Sequence, residues 1–308
     1  MDVPATDVHQ HLWPEGLLQL LARRTVAPRL RRENRDWILE LAGEPPAVLD
    51  LAAHDPAERA RRAAADGLDR IVVAPSTPLG IEALPVGEAQ PLLDAFHAGV
   101  LELGAPYALW GSVPLAASGP AEVDALLDAG AAGLCLPAEA LGGPEALRRT
   151  APVLERLAER DAPLLVHPGC AAGDTALPAW WPAMTEYVAT MQAAWLAWAE
   201  WGRAAHPGLK VVWAMLAGGA PLQAERLGAR GGPAAAVHDE RSWYDVSSYG
   251  PKAVDAMLRV VGVDRLVLGS DRPVVEPPSL ATLGPAVREA VTRTNPAALL
   301  GSPRGLTP

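Results

Sequence analysis

The chain has 308 residues, half of them hydrophobic, and a formal net charge of −10 from 36 acidic and 26 basic side chains. This length fits one large domain with a sizeable core. An acidic chain without a basic stripe argues against nucleic acid as a partner, and no apolar run reaches the ~18 residues that a membrane span needs. Two cysteines, Cys135 and Cys170, are too few for a disulfide framework, so we expect a cytoplasmic protein.

Short apolar segments alternate with helical segments along most of the chain. The segments that predict strands are residues 3–11, 70–74, 107–113, 132–136, 163–167, 209–215, 243–247 and 265–270. The segments that predict helices are residues 15–24, 55–66, 89–103, 121–129, 144–160, 182–205, 221–230, 251–261 and 281–292. Apolar strands separated by helices are typical of a parallel sheet covered on both faces. Eight such units predict an α/β protein whose single domain, residues 1–308, is a closed (β/α)8 TIM barrel.

Some segments carry further local signals. Asp55 is expected to cap helix 55–66, with Pro56 at its first position. The arginine-rich residues 23–35 indicate either a solvated face or a lid that meets an anionic substrate. Trp180 and Trp181 are expected to wall the pocket or a subunit interface. Helix 182–205 carries an apolar stripe for packing in the core or at an interface, formed by Met184, Val188, Met191, Trp195 and Trp198.

The first candidate site lies near the N-terminus, in the sequence DVHQHLW that begins at Asp7. Because side chains alternate along a strand, His9 and His11 point to the same face. In a barrel the chemistry lies at the carboxyl ends of the strands, where the fifth strand ends in His167 and the eighth is followed by Asp271. Three imidazoles and one carboxylate form a suitable ligand set for Zn²⁺ or a similar ion.

Such a site predicts metal-assisted chemistry. A metal lowers the pKa of its bound water toward ~7, and Asp271 is the candidate catalytic residue, because a carboxylate there can bind the ion and accept the proton of that water. Hydrolysis of a small ester, lactone or amide is the main interpretation. Decarboxylation of a small carboxylic acid, with the metal stabilising the developing charge, is the alternative.

Together these motifs resemble the amidohydrolase superfamily, specifically the amidohydrolase 2 branch. The matching pieces in chain order are DVHQHLWP, PLLVHPG, VVWAMLAGGAPLQAERL, YDVSS, RLVLGSDRP and TNPAALLG. The HQHLW form is similar to that of sugar lactonases, and other members of the branch are aromatic-acid decarboxylases such as aminocarboxymuconate-semialdehyde decarboxylase. The resemblance implies a distorted TIM barrel with an N-terminal insertion and one divalent ion, most simply zinc, on His9, His11, His167 and Asp271.

The sixth strand departs from the pattern of that family. It usually ends in a histidine before a glycine pair, whereas this chain has Met215 there. A thioether cannot shuttle a proton and is a poor zinc ligand, so a catalytically impaired protein that binds a metabolite is a third interpretation. His54 and His238 are the candidates to replace the missing imidazole. The fourth strand lacks the lysine or glutamate that bridges two metals in other branches of the superfamily, and Glu139, just beyond that strand, is a weak alternative, so we expect at most one metal.

Large or charged side chains near other strand ends are candidates for substrate binding. These residues are Trp13, Trp110, Trp213, Met215 and Arg272. Arg272 is expected either to pair with a substrate carboxylate or to form a salt bridge at the barrel mouth. The expected partner is a small-molecule substrate, with neither nucleic acid nor membrane, and a homodimer through the tryptophan-rich helix is the default assembly.

Overall fold

Eight parallel strands form the centre of the structure, a computed structural model that describes residues 3–173, 176–277 and 281–301. Their order is the order of the chain, as in a barrel. The barrel strands are β1 (Thr6–Gln10), β5 (Arg70–Val73), β6 (Tyr107–Gly111), β7 (Gly133–Pro137), β8 (Leu164–His167), β9 (Val211–Trp213), β10 (Ser242–Asp245) and β11 (Leu266–Val267). All these strands are buried along most of their length, which explains their continuous apolar sequences.

Backbone hydrogen bonds between the first and last strands close the barrel. The Val8 N–H donates to Leu268 O (2.8 Å), the Asp271 N–H to His9 O (2.9 Å), and the His11 N–H to Arg272 O (2.7 Å). The single (β/α)8 TIM barrel predicted from the sequence is therefore confirmed. The last strand is shorter than predicted, because only Leu266 and Val267 keep the regular ladder with β10.

Helices connect the strands on the outside of the barrel. They are α1 (Glu15–Arg23), α2 (Pro56–Ala65), α3 (Val86–Leu103), α4 (Pro120–Asp128), α5 (Pro144–Glu159), α6 (Trp181–Met184), α7 (Glu186–Ala197), α8 (Arg203–Ala205), α9 (Ala224–Gly228), α10 (Pro251–Val261), α11 (Pro285–Glu289) and α12 (Asn295–Leu300). The predicted cap of α2 is confirmed, since Asp55 Oδ1 accepts the N–H groups of Ala57 (2.8 Å) and Glu58 (3.1 Å). Among the described residues, no helix is long and apolar enough to cross a membrane.

An antiparallel sheet interrupts the βα rhythm after α1. Its strands are β2 (Arg29–Glu33), β3 (Asp36–Glu40) and β4 (Ala47–Leu49). This sheet is the expected N-terminal insertion, and it contains much of the arginine-rich segment. Arg29 and Arg31 both pair with Glu40 across the first two strands, and Arg31 also pairs with Glu33, so these two charges are neutralised within the sheet.

The predicted helix 182–205 is broken, and this part of the prediction was wrong. Thr185 leaves the helical conformation (φ −122°, ψ −71°) and separates α6 from α7. Met184 lies before the break and is exposed, so it does not join the predicted stripe. Met191, Trp195 and Trp198 are buried in the main core cluster, as the packing interpretation required.

Candidate metal centre

Three imidazoles and one carboxylate meet at the carboxyl end of the barrel strands. The ring centroids of His9, His11 and His167 lie 4.8 to 5.0 Å apart, and the three rings are almost perpendicular to one another. One ligand atom from each of these residues and from Asp271 can be chosen so that all four lie within 4.8 Å of one another. The three histidines and the aspartate are all buried or nearly so. The structure thus brings together the four residues that the sequence singled out.

Hydrogen bonds from the surrounding protein fix the orientation of each ring. The His9 Nδ1–H donates to Asp245 Oδ2 (2.8 Å), and the His11 Nδ1–H donates to Ala74 O (3.0 Å). The His167 Nδ1–H faces Pro168 O (2.9 Å) and the Thr77 hydroxyl oxygen (2.7 Å). Because carbonyl and carboxylate oxygens only accept, the neutral form of each ring carries its proton on Nδ1 and its lone pair on Nε2.

The Nε2 atoms point toward one another and toward Asp271. The two Nε2 atoms of His9 and His11 are 3.1 Å apart, and Asp271 Oδ1 lies 3.1 Å from His11 Nε2 and 3.7 Å from His9 Nε2. Two lone pairs at this distance repel unless a cation lies between them. An ion at the usual ~2.0–2.1 Å from each nitrogen can bridge them. The donor set therefore fits a divalent metal ion.

The electrostatics of the centre also favour a cation. Burial lowers the pKa of His9, but the Asp245 carboxylate, followed by Asp271 and Asp7, outweighs burial and raises this pKa to about 9. Burial, reinforced by His9 and His11, holds the pKa of His167 well below its ordinary value. Burial raises the pKa of Asp271, yet the His11 hydrogen bond and the His9 charge reverse the shift and lower it overall. A metal ion replaces the proton that this negative field otherwise attracts to His9.

Asp245 is the main residue of this site that sequence reasoning missed. Its Oδ2 orients His9, while its Oδ1 accepts the N–H groups of Met215 (3.0 Å) and Ser247 (3.0 Å) and the Ser247 hydroxyl. Such carboxylate–histidine pairs orient metal ligands and make them more basic. The signal was present in the segment YDVSS, where an aspartate ends a buried strand.

A left-handed turn follows the sixth barrel strand. From Met215 to Gly219, five successive residues have φ between 43° and 76°. L-residues other than glycine rarely adopt this conformation, which costs about 1–2 kcal/mol for each residue. The Met215 N–H is held by Asp245, so the strained turn is anchored to the residue that orients His9. Met215, at the position of the missing histidine, therefore has a backbone that is tied to Asp245.

The other predicted site residues lie in different surroundings. The Trp13 indole donates to Ser76 Oγ (2.8 Å) and stacks on His54, which is buried and accepts the Trp13 N–H (3.1 Å). Trp110 is fully buried and donates to Val8 O (2.7 Å), and Trp213 is fully buried, with its indole nitrogen 3.3 Å from Ser242 Oγ. For Trp110 and Trp213 a substrate contact stays a prediction that their buried positions do not favour.

Arg272 turns away from the ligand cluster. Its guanidinium binds Asp66 (2.5 Å) and Glu276 (3.4 Å), and it lines a cleft of about 650 Å³ on the side of the barrel. Its neighbour Asp271 has a left-handed backbone (φ 60°), so the two adjacent side chains point in different directions. Two roles were expected for Arg272, and the structure shows the salt bridge.

The two candidate replacements for the missing histidine are not equivalent. His238 is exposed and lies before β10, at the amino ends of the strands. His54 accepts a backbone N–H, and burial together with Arg59 lowers its pKa to about 4. Trp180 and Trp181 are both exposed; Trp180 immediately precedes α6, and Trp181 is its first residue.

Comparisons with known proteins agree with this geometry. The family model described as Amidohydrolase matches residues 6–302, and no match was found among curated proteins. An apo structure of IDCase from Metarhizium anisopliae is similar, at 18% identity over 97% of each chain and a TM-score of 0.77. A 5-carboxyvanillate decarboxylase from Sphingomonas paucimobilis matches at 15% identity over 97% of this chain and 99% of that one, with a TM-score of 0.73.

A third similar structure contains a metal. It is a dihydroxybenzoic acid decarboxylase from Polaromonas sp. JS666 with bound manganese and the inhibitor 2-nitroresorcinol, at 13% identity over 97% of each chain and a TM-score of 0.66. At these identities the likeness of the structures shows the fold alone. The family model, however, covers nearly the whole chain. On that match, this chain belongs to the amidohydrolase family.

Proposed function

We propose that this protein is a metal-dependent decarboxylase of a small carboxylic acid. The observation that carries the proposal is the single cluster of His9, His11, His167 and Asp271, whose imidazoles are all held with Nε2 free for one ion. The similar structures named as decarboxylases support it. A divalent ion supplies a Lewis acid that binds a carboxylate and stabilises negative charge as the C–C bond breaks.

The proton chemistry of the centre suits decarboxylation. When CO₂ leaves, the electron pair of the broken bond stays on carbon and takes one proton. Asp271 is ionised at neutral pH and held by the Ser248 hydroxyl (3.1 Å), so it can take a proton from the substrate and return it to that carbon. Hydrolysis likewise moves one proton, from the attacking water to the leaving group, and Asp271 could also carry it.

A metal-dependent hydrolase of an ester, lactone or amide is the second candidate. The H-x-H motif and the family name support it, while the decarboxylase relatives favour the first proposal. The metal is likewise a proposal: zinc suits three imidazoles and a carboxylate, and manganese is the ion in one similar structure.

The test begins with metal analysis of protein purified without chelator. Protein loaded with Mn²⁺ or Zn²⁺ is then incubated with hydroxylated aromatic and heteroaromatic carboxylic acids, while released CO₂ is measured. The same protein is given a lactone panel in ¹⁸O-labelled water. CO₂ release that His9→Ala and Asp271→Asn abolish supports the proposal. Incorporation of ¹⁸O into the product without CO₂ release would establish hydrolysis instead.

A further inference from the structure

A cleft of about 640 Å³ lies beside Trp13, between the start of α1, the start of α2 and the last turns of α3. Among the described residues that line it, none is one of the four candidate metal ligands. Its volume is in the usual range of small-molecule sites. Much of its wall is apolar, with Leu18, Leu51 and Leu103 all at least partly exposed. The cleft is therefore a candidate binding site separate from the metal centre.

His54 lines this cleft, and the protein fixes the position of its ring. The residue ends the short 3-10 helix Leu51–His54, which begins where Asp50 Oδ1 accepts the Ala52 N–H (3.0 Å). Its ring stacks on the Trp13 indole, with centroids 4.9 Å apart and planes 23° apart, and its Nδ1 accepts the Trp13 N–H (3.1 Å). Only 7% of the residue is exposed. A ring held in this way needs little reorganisation to bind a ligand.

The hydrogen bond from Trp13 also decides where His54 carries its proton. A ring nitrogen that accepts a hydrogen bond carries no proton, so the proton of the neutral ring is on Nε2. Burial, followed by the charges of Arg59 and His11, lowers the pKa of His54 to about 4, so the ring is neutral at pH 7. In the described part of the chain, the Nε2–H has no hydrogen-bond partner, and it is not sealed from solvent. The cleft therefore contains one unpaired donor from a buried side chain.

The charged groups of the cleft are acidic. Glu15, Asp55 and Glu102 line it, whereas no lysine or arginine does so among the described residues. The Arg59 charge acts on His54, but this guanidinium is buried, donates to the Arg272 carbonyl (2.9 Å) and is not part of the lining. An anion bound in the cleft therefore meets like charges without a compensating cation.

We infer that this cleft is a second binding site, for a neutral and largely apolar molecule that carries a hydrogen-bond acceptor such as a carbonyl oxygen. The acceptor takes the Nε2–H of His54, and the apolar part of the molecule lies against the leucines. The three carboxylates select against an anion of the same shape. The inference does not depend on which reaction occurs at the metal.

Three small ligands of nearly the same shape test this inference. Acetophenone carries a neutral acceptor on its phenyl ring, benzoate carries an anionic acceptor, and benzamidine carries a cation without an acceptor. The readout is the ¹⁵N chemical shift of each histidine ring in Zn²⁺-loaded protein, detected through the carbon-bound ring protons. Before any ligand is added, we expect His54 to have its proton on Nε2, and the three histidines of the metal centre to have theirs on Nδ1.

Each ligand has a distinct expected effect on His54. Acetophenone is expected to move the Nε2 signal with a Kd of about 1–10 mM, as is usual for so small a ligand. Benzoate is expected to bind at His54 about threefold to tenfold more weakly. Benzamidine is expected to leave the signal in place, because an amidinium offers no lone pair. Binding at the metal centre moves the signals of His9, His11 and His167 instead, so the two sites are read separately.

A variant assigns the binding to His54. In His54→Asn the shorter side chain keeps an oxygen that can accept the Trp13 N–H but loses the donor at the position of Nε2. We expect its affinity for acetophenone, measured by saturation-transfer titration, to fall about threefold to tenfold. His238→Asn is the matched control, because His238 is exposed at the amino ends of the strands, and its affinity should equal that of the wild type.

Four outcomes overturn the inference: a His54 proton on Nδ1, a His54 signal that acetophenone does not move, benzoate that binds at His54 as tightly as acetophenone, or equal acetophenone affinity in His54→Asn and the wild type. If His54→Asn does not fold, the titrations of the wild type decide alone. Failure of the proposed function would be seen as absent CO₂ release and leaves the result at His54 unchanged.

Discussion

Asp245 shows how much of the centre depends on a residue that is not a ligand. Its two oxygens accept from His9 on one side and from Met215 and Ser247 on the other. In Asp245→Asn the NH₂ group must face either the His9 ring N–H or the N–H groups of Met215 and Ser247. Two donors cannot form a hydrogen bond with each other, so one of these contacts is lost. We expect affinity for Mn²⁺ to fall about 10–100-fold, as for other residues that orient metal ligands, measured by calorimetric titration of apo-protein.

The exposed Asp264→Asn is a suitable control for that measurement, because it changes the same charge far from the centre. If Asp245→Asn binds Mn²⁺ as tightly as the wild type does, His9 keeps its orientation without the carboxylate.

At the residue scale, the sequence could single out the four residues of the candidate metal centre because their signals are local. His9 and His11 share one strand face, and His167 and Asp271 lie at or just beyond strand ends. Asp245 could have been noted because it ends a buried strand, but its partners and those of Thr77 could not be predicted, because they depend on how separate strands and loops meet at the barrel mouth. The direction of Arg272 was equally hidden, because its partner Asp66 is 206 residues away in the sequence.

The left-handed turn after β9 gives a matched pair of substitutions at the scale of an element. Gly218 and Gly219 have similar φ values, 61° and 76°, so alanine is strained at both. A Cβ atom at Gly218 would lie 2.7 Å from Val188 O, whereas at Gly219 its closest contacts are 3.8 Å. We expect Gly219→Ala to lower the free energy of unfolding by about 1 kcal/mol, and Gly218→Ala by about 1–3 kcal/mol more.

Denaturant unfolding of both variants at fixed metal loading measures this difference. Equal losses would mean that α7 moves freely away from the turn.

The cap of α2 is a second prediction at this scale. Asp55 accepts two N–H groups that otherwise lack a partner in the first helical turn. Asp55→Ala is expected to lower the free energy of unfolding by about 1 kcal/mol, and Asp55→Asn by much less, since asparagine caps helices comparably well. A loss of the same size in both variants would assign the effect to the charge of Asp55 instead of its hydrogen bonds.

Whole elements were predictable where periodicity and burial agree. The barrel strands and most helices follow this rule, and α2 begins where Asp55 and Pro56 indicated. The N-terminal insertion was expected, but its three strands were not predicted, although apolar Leu30 lies between Arg29 and Arg31, an alternation typical of a strand. The break at Thr185 has no such local signal, because the apolar spacing continues through it. Packing of Val188 on the turn at Gly218 is a tertiary contact that a helical pattern does not contain.

For the molecule as a whole, Glu82 is expected to link stability to pH. Burial, above all other effects, raises its pKa from 4.5 to about 7 in the folded protein. Between pH 4.5 and about pH 7 the folded state holds a proton that the unfolded chain has released. The contribution of this proton to the free energy of unfolding is complete at low pH and is lost as pH rises toward 7. Glu82→Gln removes the contribution. Relative to the wild type, the variant should therefore gain on the order of 1–3 kcal/mol in the free energy of unfolding between pH 5 and pH 8. Denaturant unfolding of both proteins at pH 5 and pH 8, at equal metal loading, measures this gain. If the difference in unfolding free energy between the two proteins does not change with pH, Glu82 is ionised throughout this range.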